Sequence, residues 1–189
     1  MSHKSILFGL LGTGFVILLI LLCCYTVNND EYVVITVFGK PAKIHTEPGL
    51  YVKWPTPFAI VNRMDRRVQP YETPMIEYLT GDKKNLLIKT FVFWKISDPL
   101  LFFQATHHAE AARQKLDDVV CSLVASTLGD HQMNQIISTK REDLAVTTII
   151  NEITTGSQSR IKPYGIEIDY IGFSRLALPD DNTRSVYRR

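Results

Sequence analysis

The sequence predicts an α+β protein in which a single N-terminal transmembrane helix precedes an antiparallel β half and then a helix-rich half with a final strand. Three observations predict it. Residues 5–29 carry no charged side chain, residues 31–96 alternate with a period of two, and the apolar period lengthens to about 3.6 after Pro99. These patterns divide the chain into an N-terminal tail and anchor (1–28), a β-rich part (29–104) and a helical part with a closing strand (105–189).

The apolar segment, residues 6–27, is long enough to cross a bilayer. Fourteen of its 22 residues are Leu, Ile, Val or Phe, and a helix of that length reaches ~33 Å, against a hydrocarbon core of ~30 Å. Aliphatic residues at the centre of a span each favour insertion, and no charge opposes them. The residues that we expect to anchor the chain are Ile6, Leu10, Phe15, Leu18, Leu22 and Val27.

Three other interpretations of this segment fit less well. A cleaved signal peptide has a shorter apolar core and a small-x-small cleavage site, which this sequence lacks. A lipoprotein signal needs a small residue before the acylated cysteine, but Leu22 precedes Cys23. A buried core helix would have a polar face. Positive charge on the two flanks is nearly matched, but a five-residue tail beside a strong apolar span fits a cytoplasmic N-terminus with the main domain outside.

The first half of the domain reads as antiparallel strands separated by turns rich in Gly and Pro. Runs of β-branched and aromatic residues end at Gly39-Lys40-Pro41, at Pro55-Thr56-Pro57 and at Ser97-Asp98-Pro99. A polar connection, residues 80–85, joins the last two runs. The predicted strands are residues 31–38, 50–54, 60–68, 71–79 and 85–96.

The second half reads as two amphipathic helices and a strand. Apolar residues recur at helical spacing over residues 105–128, and Gly129-Asp130 ends that run. Residues 139–142 have the Thr-x-x-Glu form of a capping box, which predicts a helix that ends by Lys162, before Pro163. Residues 166–173 alternate as a final strand, and the last eight residues could begin another helix.

The polar residues offer no catalytic or metal site. His107 and His108 are adjacent, so a helix would point them about 100° apart and they could not chelate one metal. Cys121 lies beside an apolar stripe and is expected in the core rather than as a nucleophile. From Asp30 onward 20 basic residues face 19 acidic ones, which gives no field for nucleic acid. We therefore expect no enzyme activity, no cofactor and no nucleic-acid partner.

An aromatic pair among prolines is the strongest candidate for a functional surface. Trp54, Pro55, Pro57 and Phe58 follow soon after the predicted anchor. Aromatic side chains favour the interface between water and lipid, so Trp54, Pro55 and Phe58 are candidates for contact with the membrane surface. A turn that packs on the β core is the alternative.

An ordered set of short stretches resembles the SPFH (Band 7, prohibitin-homology) family, and several are most similar to its bacterial HflC branch. The set covers about residues 5–189 in the order expected for that family. The stretches are Gly39-Lys40, Glu-Pro-Gly-Leu-Tyr-Val-Lys-Trp-Pro (47–55), Asp-Arg-Arg-Val-Gln (65–69), Leu-Thr-Gly-Asp-Lys-Lys (79–84), Trp-Lys-Ile-Ser-Asp-Pro (94–99), Tyr-Gly-Ile-Glu-Ile (164–168) and Leu-Ala-Leu-Pro (176–179).

This resemblance implies an SPFH domain behind a single-pass anchor in the bacterial inner membrane, with the domain in the periplasm. It implies a hetero-oligomer with an HflK-like SPFH paralogue that encloses and regulates an FtsH-like AAA+ protease. It also implies a charged coiled-coil helix beyond the position of Arg189, which this sequence does not include and which we expect assembly to need. The alternative within the family is a stomatin-like scaffold that modulates channels or lipid organisation from the cytoplasm.

Overall fold

The structure is a computed structural model, which describes residues 12–14, 23–55, 57–137 and 145–179. The chain forms two compact units, Met1–Arg66 and Arg67–Arg189. This boundary differs from the predicted division after residue 104, because the long strand Asn85–Ile96 pairs with the closing strand and belongs with the helices. Each unit is described by itself below.

The described residues of the first unit form five strands, all paired antiparallel. A two-stranded sheet joins Cys24–Val27 to Gly49–Val52, and in a three-stranded sheet Glu31–Val37 lies between Lys40–His45 and Ala59–Asp65. The predicted strands at 31–38, 50–54 and 60–68 are confirmed with small changes at their ends. The strands are β1 (Cys24–Val27), β2 (Glu31–Val37), β3 (Lys40–His45), β4 (Gly49–Val52) and β5 (Ala59–Asp65).

A small apolar core holds the first unit together. Its buried members come from β1, β2 and the start of β5, and three half-buried side chains of β2, β4 and β5 pack against them. Tyr25 lies against Tyr51 with ring centroids 6.0 Å apart. The core residues are Tyr25, Val27, Val33, Ile35 and Ala59, with Val37, Tyr51 and Val61 around them.

The second unit has a sheet organised around its longest strand. β6 and β7 pair with successive parts of one edge of β8, and β9 pairs with the other edge, all antiparallel. Side chains of β8 alternate between buried and more exposed, as the sequence predicted. Trp94 is fully buried on the inner face and stacks on Phe102, with centroids 6.3 Å apart. The strands are β6 (Gln69–Glu72), β7 (Ile76–Leu79), β8 (Asn85–Ile96) and β9 (Ile166–Ala177).

Helices supply the rest of that core. The two longest described helices, Ala109–Asp130 and Val146–Ile161, pack together closely at Gly156, where a Cβ atom would lie 3.2 Å from the Leu123 side chain. Their buried faces are aliphatic. The helices are α1 (Pro99–Ala105), α2 (Ala109–Asp130), α3 (Met133–Ile136) and α4 (Val146–Ile161), followed by a 3-10 turn (Lys162–Tyr164). The α+β class, with antiparallel sheets, helices and a final strand, is therefore confirmed.

The structure corrects two predicted elements and adds a strand that was not predicted. The predicted strand 71–79 is two strands, because residues 73–75 leave the ladder. The predicted helix 105–128 begins only at Ala109. Residues 106–108 separate it from the preceding helix, and His107 there adopts a left-handed conformation. Strand β3 was missed because Pro41 and two lysines hide its pattern. The predicted capping box at 139–142 and the predicted helix after residue 181 lie outside the described residues.

Asp98 and Gly165 fix the passage from β8 to α1. The Asp98 carboxylate accepts hydrogen bonds from the amides of Leu100 and Leu101 at 2.8 and 3.1 Å, and Pro99 suits the first helical turn. The carbonyl of Gly165 accepts from the amides of Ser97 and Asp98 at 2.9 and 3.2 Å. Gly165 has a positive φ of 69°, which favours glycine. A Cβ atom at this position would also lie 2.3 Å from the Asp98 carbonyl oxygen.

Candidate membrane-interface surface

Strand β1 begins at Cys24, before residue 27, where we predicted that the apolar anchor ends. Gly12–Gly14 and Cys23 are helical, but the chain becomes extended at Cys24. Val27, which we predicted as an anchor residue, is buried in the core of the first unit. Hydropathy alone missed this boundary because a core strand and a membrane span are equally apolar. The other predicted anchor residues, Ile6, Leu10, Phe15, Leu18 and Leu22, lie outside the described residues.

Within the described part of the chain, no helix has the length and apolar character needed to cross a membrane.

Strand pairing brings Trp54 beside the end of the apolar segment. Cys24 is the register partner of Val52, and the amide of Lys53 donates to the carbonyl of Cys23 at 2.8 Å. Trp54 is the next residue along the chain. Trp54 therefore lies close to the end of the apolar segment. A membrane surface at the end of that segment would also be close to Trp54.

Three exposed aromatic residues and the half-buried Pro55 form what we call the aromatic patch: Phe38, Trp54, Pro55 and Phe58. Phe38 is 80% exposed, Trp54 71% and Phe58 50%. Together with Val37 they line an apolar groove of about 520 Å³. Two predicted interface residues, Trp54 and Phe58, therefore point to water in this chain rather than into the β core, and Pro55 lies between them in the groove wall.

Backbone hydrogen bonds hold the patch in shape. The amide of Phe58 donates to the carbonyl of Pro55 at 3.1 Å, which closes a tight turn. The amide of Phe38 donates to the carbonyl of Phe58 at 3.4 Å, and their rings meet edge to face with centroids 5.9 Å apart. The aromatic patch therefore lies on two turns that a hydrogen bond holds together.

Phe38 was missed by the sequence analysis, although a signal was present. It forms with Gly39 the two-residue connection between β2 and β3, and both residues have positive φ, 50° and 79°. Such turns favour Asn-Gly, and a bulky residue in the left-handed region costs about 1–2 kcal/mol. The Phe-Gly pair between two β runs is therefore an unfavourable choice for this turn, and it leaves the Phe38 ring exposed at the tip.

Charge is distributed unevenly around the aromatic patch. Lys40 follows the tip directly, and Lys43 and Lys53 line a second cavity of about 290 Å³ that shares Val37 and Trp54 with the groove. At the opposite end of β2, Glu31 pairs in register with Asp65 and forms an ion pair with Arg63. Lysines therefore lie near the aromatic patch, and the other end of β2 holds acids together with arginines.

The structure places Cys121 where a nucleophile would be poor. Its thiol donates to the Asp117 carboxylate at 3.3 Å. Burial, and then the nearby carboxylate, raise the pKa of the Cys121 thiol to about 11, although a hydrogen bond from Tyr78 acts in the opposite direction. Burial also raises the pKa of Tyr78. Among the described residues, no group of three His, Cys, Asp or Glu side chains could hold a metal ion.

We expect alkylation of Cys121 to be slow and strongly dependent on pH. With Cys23 and Cys24 replaced by serine, the iodoacetamide rate at pH 8 should be about two orders of magnitude below that of an ordinary thiol of pKa about 8.5. The rate should still rise about tenfold per pH unit between pH 8 and 10, since the thiolate fraction does. Asp117→Asn should make the reaction faster at each pH, and a rate that levels off near pH 8.5 would contradict the assignment.

A family model describes most of this chain. The model of the SPFH domain / Band 7 family matches residues 25–189. The chain belongs to that family.

Curated relatives within the SPFH family agree with the match. Protein HflC of Vibrio cholerae is 25% identical over 207 residues, covering 92% of this chain and 63% of the relative. Protein HflC of Haemophilus influenzae is 30% identical over 146 residues, covering 76% and 48%. The Escherichia coli K12 protein named modulator of FtsH protease HflC is 22% identical over 156 residues, covering 77% and 46%. The chain thus spans about half to two thirds of the length of these relatives.

The stretches that carried the SPFH resemblance meet in the fold rather than at a chemical site. Residues 94–99 and 164–168 come together through the Gly165 hydrogen bonds to Ser97 and Asp98. In residues 79–84, Asp82 accepts from the amide of Met133 at 3.0 Å and from the Thr80 hydroxyl at 2.7 Å. These short motifs therefore specify connections between elements.

Proposed function

We propose that this chain is a membrane-anchored SPFH scaffold subunit, HflC-like, which assembles with an HflK-like paralogue to enclose and regulate an FtsH-like AAA+ protease. Its action is steric, through assembly at the membrane rather than through catalysis. The family membership and the name of the Escherichia coli relative support the branch.

One observation carries the membrane part of this proposal. The aromatic patch lies beside the residue where the apolar segment gives way to β1, through the bond from Lys53 to Cys23. An exposed tryptophan and two phenylalanines at that level suit the lipid interface, where such rings are enriched. Isolated exposed apolar residues need no explanation, but a grouped and hydrogen-bonded set does.

The proposal predicts what the chain associates with in its native membrane. Affinity purification of the full-length protein from mild detergent should recover a second SPFH chain together with an AAA+ protease. A matched preparation carrying Phe38→Asp and Phe58→Asp controls for dependence on the aromatic patch, and we expect it to recover less of both. Recovery of a channel without a protease would replace the proposal with the stomatin-like alternative.

The proposal also predicts the topology of the chain. Alkaline phosphatase fused after Arg189 should be active, because we propose that the domain lies in the periplasm and the N-terminus in the cytoplasm. The same reporter fused before Met1 should be silent. The reverse pattern would contradict the orientation and would favour a cytoplasmic, stomatin-like scaffold.

A further inference from the structure

We propose that the outer face of the sheet in the second unit is the contact surface for a second copy of this chain. This inference goes beyond the proposed function, because it names a symmetric pairing between identical subunits. The evidence is an aromatic cluster at the centre of that face and opposite charges of β9 on the two sides of the cluster.

The outer face alternates with the buried face along β8. The even-numbered residues from Leu86 to Ile96 are all buried, whereas the odd-numbered ones stay half-buried or exposed. The register extends this alternation to the neighbouring strands, so Pro70 of β6 and Tyr170 of β9 flank Phe93 on the outer face. The described part of the second unit therefore presents a sheet face that is partly open to water.

Three aromatic rings form the centre of this face. The ring centroid of Phe91 lies 5.6 Å from that of Phe93 and 5.7 Å from that of Tyr170. The Phe91 ring also covers Gly172, where a Cβ atom would lie 2.6 Å from it. Phe93 is 38% exposed and Tyr170 49%. Interfaces between proteins are enriched in Tyr and Phe, and their strongest contacts cluster near the centre.

Acidic side chains of β9 lie on one side of the aromatic centre. Glu167 pairs in register with Lys95. The Lys95 ammonium lies 3.4 Å from the Glu167 carboxylate and 2.9 Å from the Asp169 carboxylate. Two carboxylates thus share one cation, which leaves a negative charge in excess at this place.

A basic side chain of β9 lies on the other side of the centre. Arg175 is exposed and pairs in register with Lys89. Lys89 forms an ion pair with Glu72, but Arg175 forms none with any described residue. Glu77 lies farther along the face, where it pairs in register with Leu87. Arg175 is therefore a cation that a carboxylate of another subunit could pair with.

A two-fold axis makes these charges complementary. Val92 lies midway between Lys89 and Lys95 along β8. A second copy that packs its outer face on the first, with its strands reversed about Val92, brings its Glu167 opposite Arg175 of the first copy. In such a symmetric contact the same pairing occurs twice, and the two aromatic centres meet. Lys89 comes opposite Lys95 of the other copy, and each of these lysines keeps its own carboxylate.

The size of the face indicates a weak dimer. Three strands spaced ~4.8 Å apart and about 40 Å long give a face of roughly 550 Å² per copy. Two such faces bury about 1,100 Å² in total, which is near the lower limit for specific interfaces. We therefore expect the pairing to depend on a shared bilayer, which concentrates the two copies.

The test is energy transfer between full-length copies in one bilayer, with a donor fused after Arg189 in one copy and an acceptor in the other. Dilution with lipid gives the dissociation constant. Arg175→Glu in both copies should raise it at least about tenfold, because like charges then face each other twice. Glu167→Arg in both copies should do the same. A mixture of the Arg175→Glu copy with the Glu167→Arg copy should return to within about twofold of wild type, since opposite charges meet again at both places.

Glu77→Arg is the matched control. Glu77 lies on the same face, but the two-fold counterpart of its register partner Leu87 falls beyond the end of β8. This variant should leave the dissociation constant unchanged.

Three outcomes would overturn the symmetric contact: no energy transfer between wild-type copies, an equal loss in Glu77→Arg, or no recovery in the mixed pair. Recovery requires that both variants fold, so a misfolded variant cannot imitate the expected result. None of these outcomes bears on the scaffold proposal, which depends on the recovered partners and on the topology reporters. Recovery of a second SPFH chain by a protein whose own copies do not pair would assign this face to a paralogue instead.

Discussion

Trp94→Ala should lower the free energy of unfolding by about 3–5 kcal/mol, while Trp54→Ala should change it by less than about 0.5 kcal/mol. The two effects differ because one tryptophan is buried and the other is exposed. Trp94 is fully buried and stacks on Phe102, so its removal leaves a cavity in the second unit. Trp54 is 71% exposed and lies in the first unit.

Urea denaturation of the detergent-solubilised full chain, followed by far-ultraviolet circular dichroism, measures both changes. Trp94→Phe keeps an aromatic ring on Phe102 and should recover part of the lost stability. A Trp54→Ala protein as unstable as Trp94→Ala would contradict the exposed position of Trp54, and with it the aromatic patch.

Gly165→Ala should be the most damaging small substitution in the second unit. The added Cβ would lie 2.3 Å from the Asp98 carbonyl oxygen and 2.6 Å from the Phe102 amide nitrogen, and the backbone φ is 69°. The left-handed conformation costs about 1–2 kcal/mol for a residue with a Cβ, and relief of the clash must shift the start of α1. We expect a loss of about 3 kcal/mol or more, which is a fall of roughly 6–12 °C in melting temperature.

Gly129→Ala is the matched control for that experiment. Gly129 lies in α2, and a Cβ there would meet nothing within 4 Å. Alanine favours a helix over glycine by about 0.5–1 kcal/mol, so this variant should melt at the same temperature or slightly higher. If Gly165→Ala also melted unchanged, the contact between Gly165 and Asp98 would be wrong.

The sequence predicted those parts of the fold in which one local pattern dominates. Strand β8 was predicted with its observed ends because a long run of strand-forming residues lies between a polar connection and Ser97-Asp98-Pro99. The start of α2 was not, since Thr106–His108 contains neither Gly nor Pro, and only tertiary packing shows that the helix is interrupted. The change from helix to strand at Cys24 was invisible because hydropathy treats lipid and protein core alike.

The candidate site was predicted in part for the same reason. Trp54, Pro55 and Phe58 are close in sequence, so a single window identifies them. Phe38 lies on a different turn and joins them only through the pairing of β2 with β5, while Lys43 joins through β3. Contacts between distant parts of the chain carry no local pattern, and the basic cavity therefore required the structure.

The most direct test of the central claim measures whether Trp54 touches lipid. The full chain, reconstituted in bilayers that contain brominated phosphatidylcholine, is excited at its tryptophans, and Trp54→Phe is the control in which only the buried Trp94 remains. We expect a blue-shifted Trp54 emission that brominated lipid quenches strongly, with little quenching in Trp54→Phe. Equal quenching of the two proteins, with Trp54 emitting as it does in water, would contradict a membrane-facing aromatic patch.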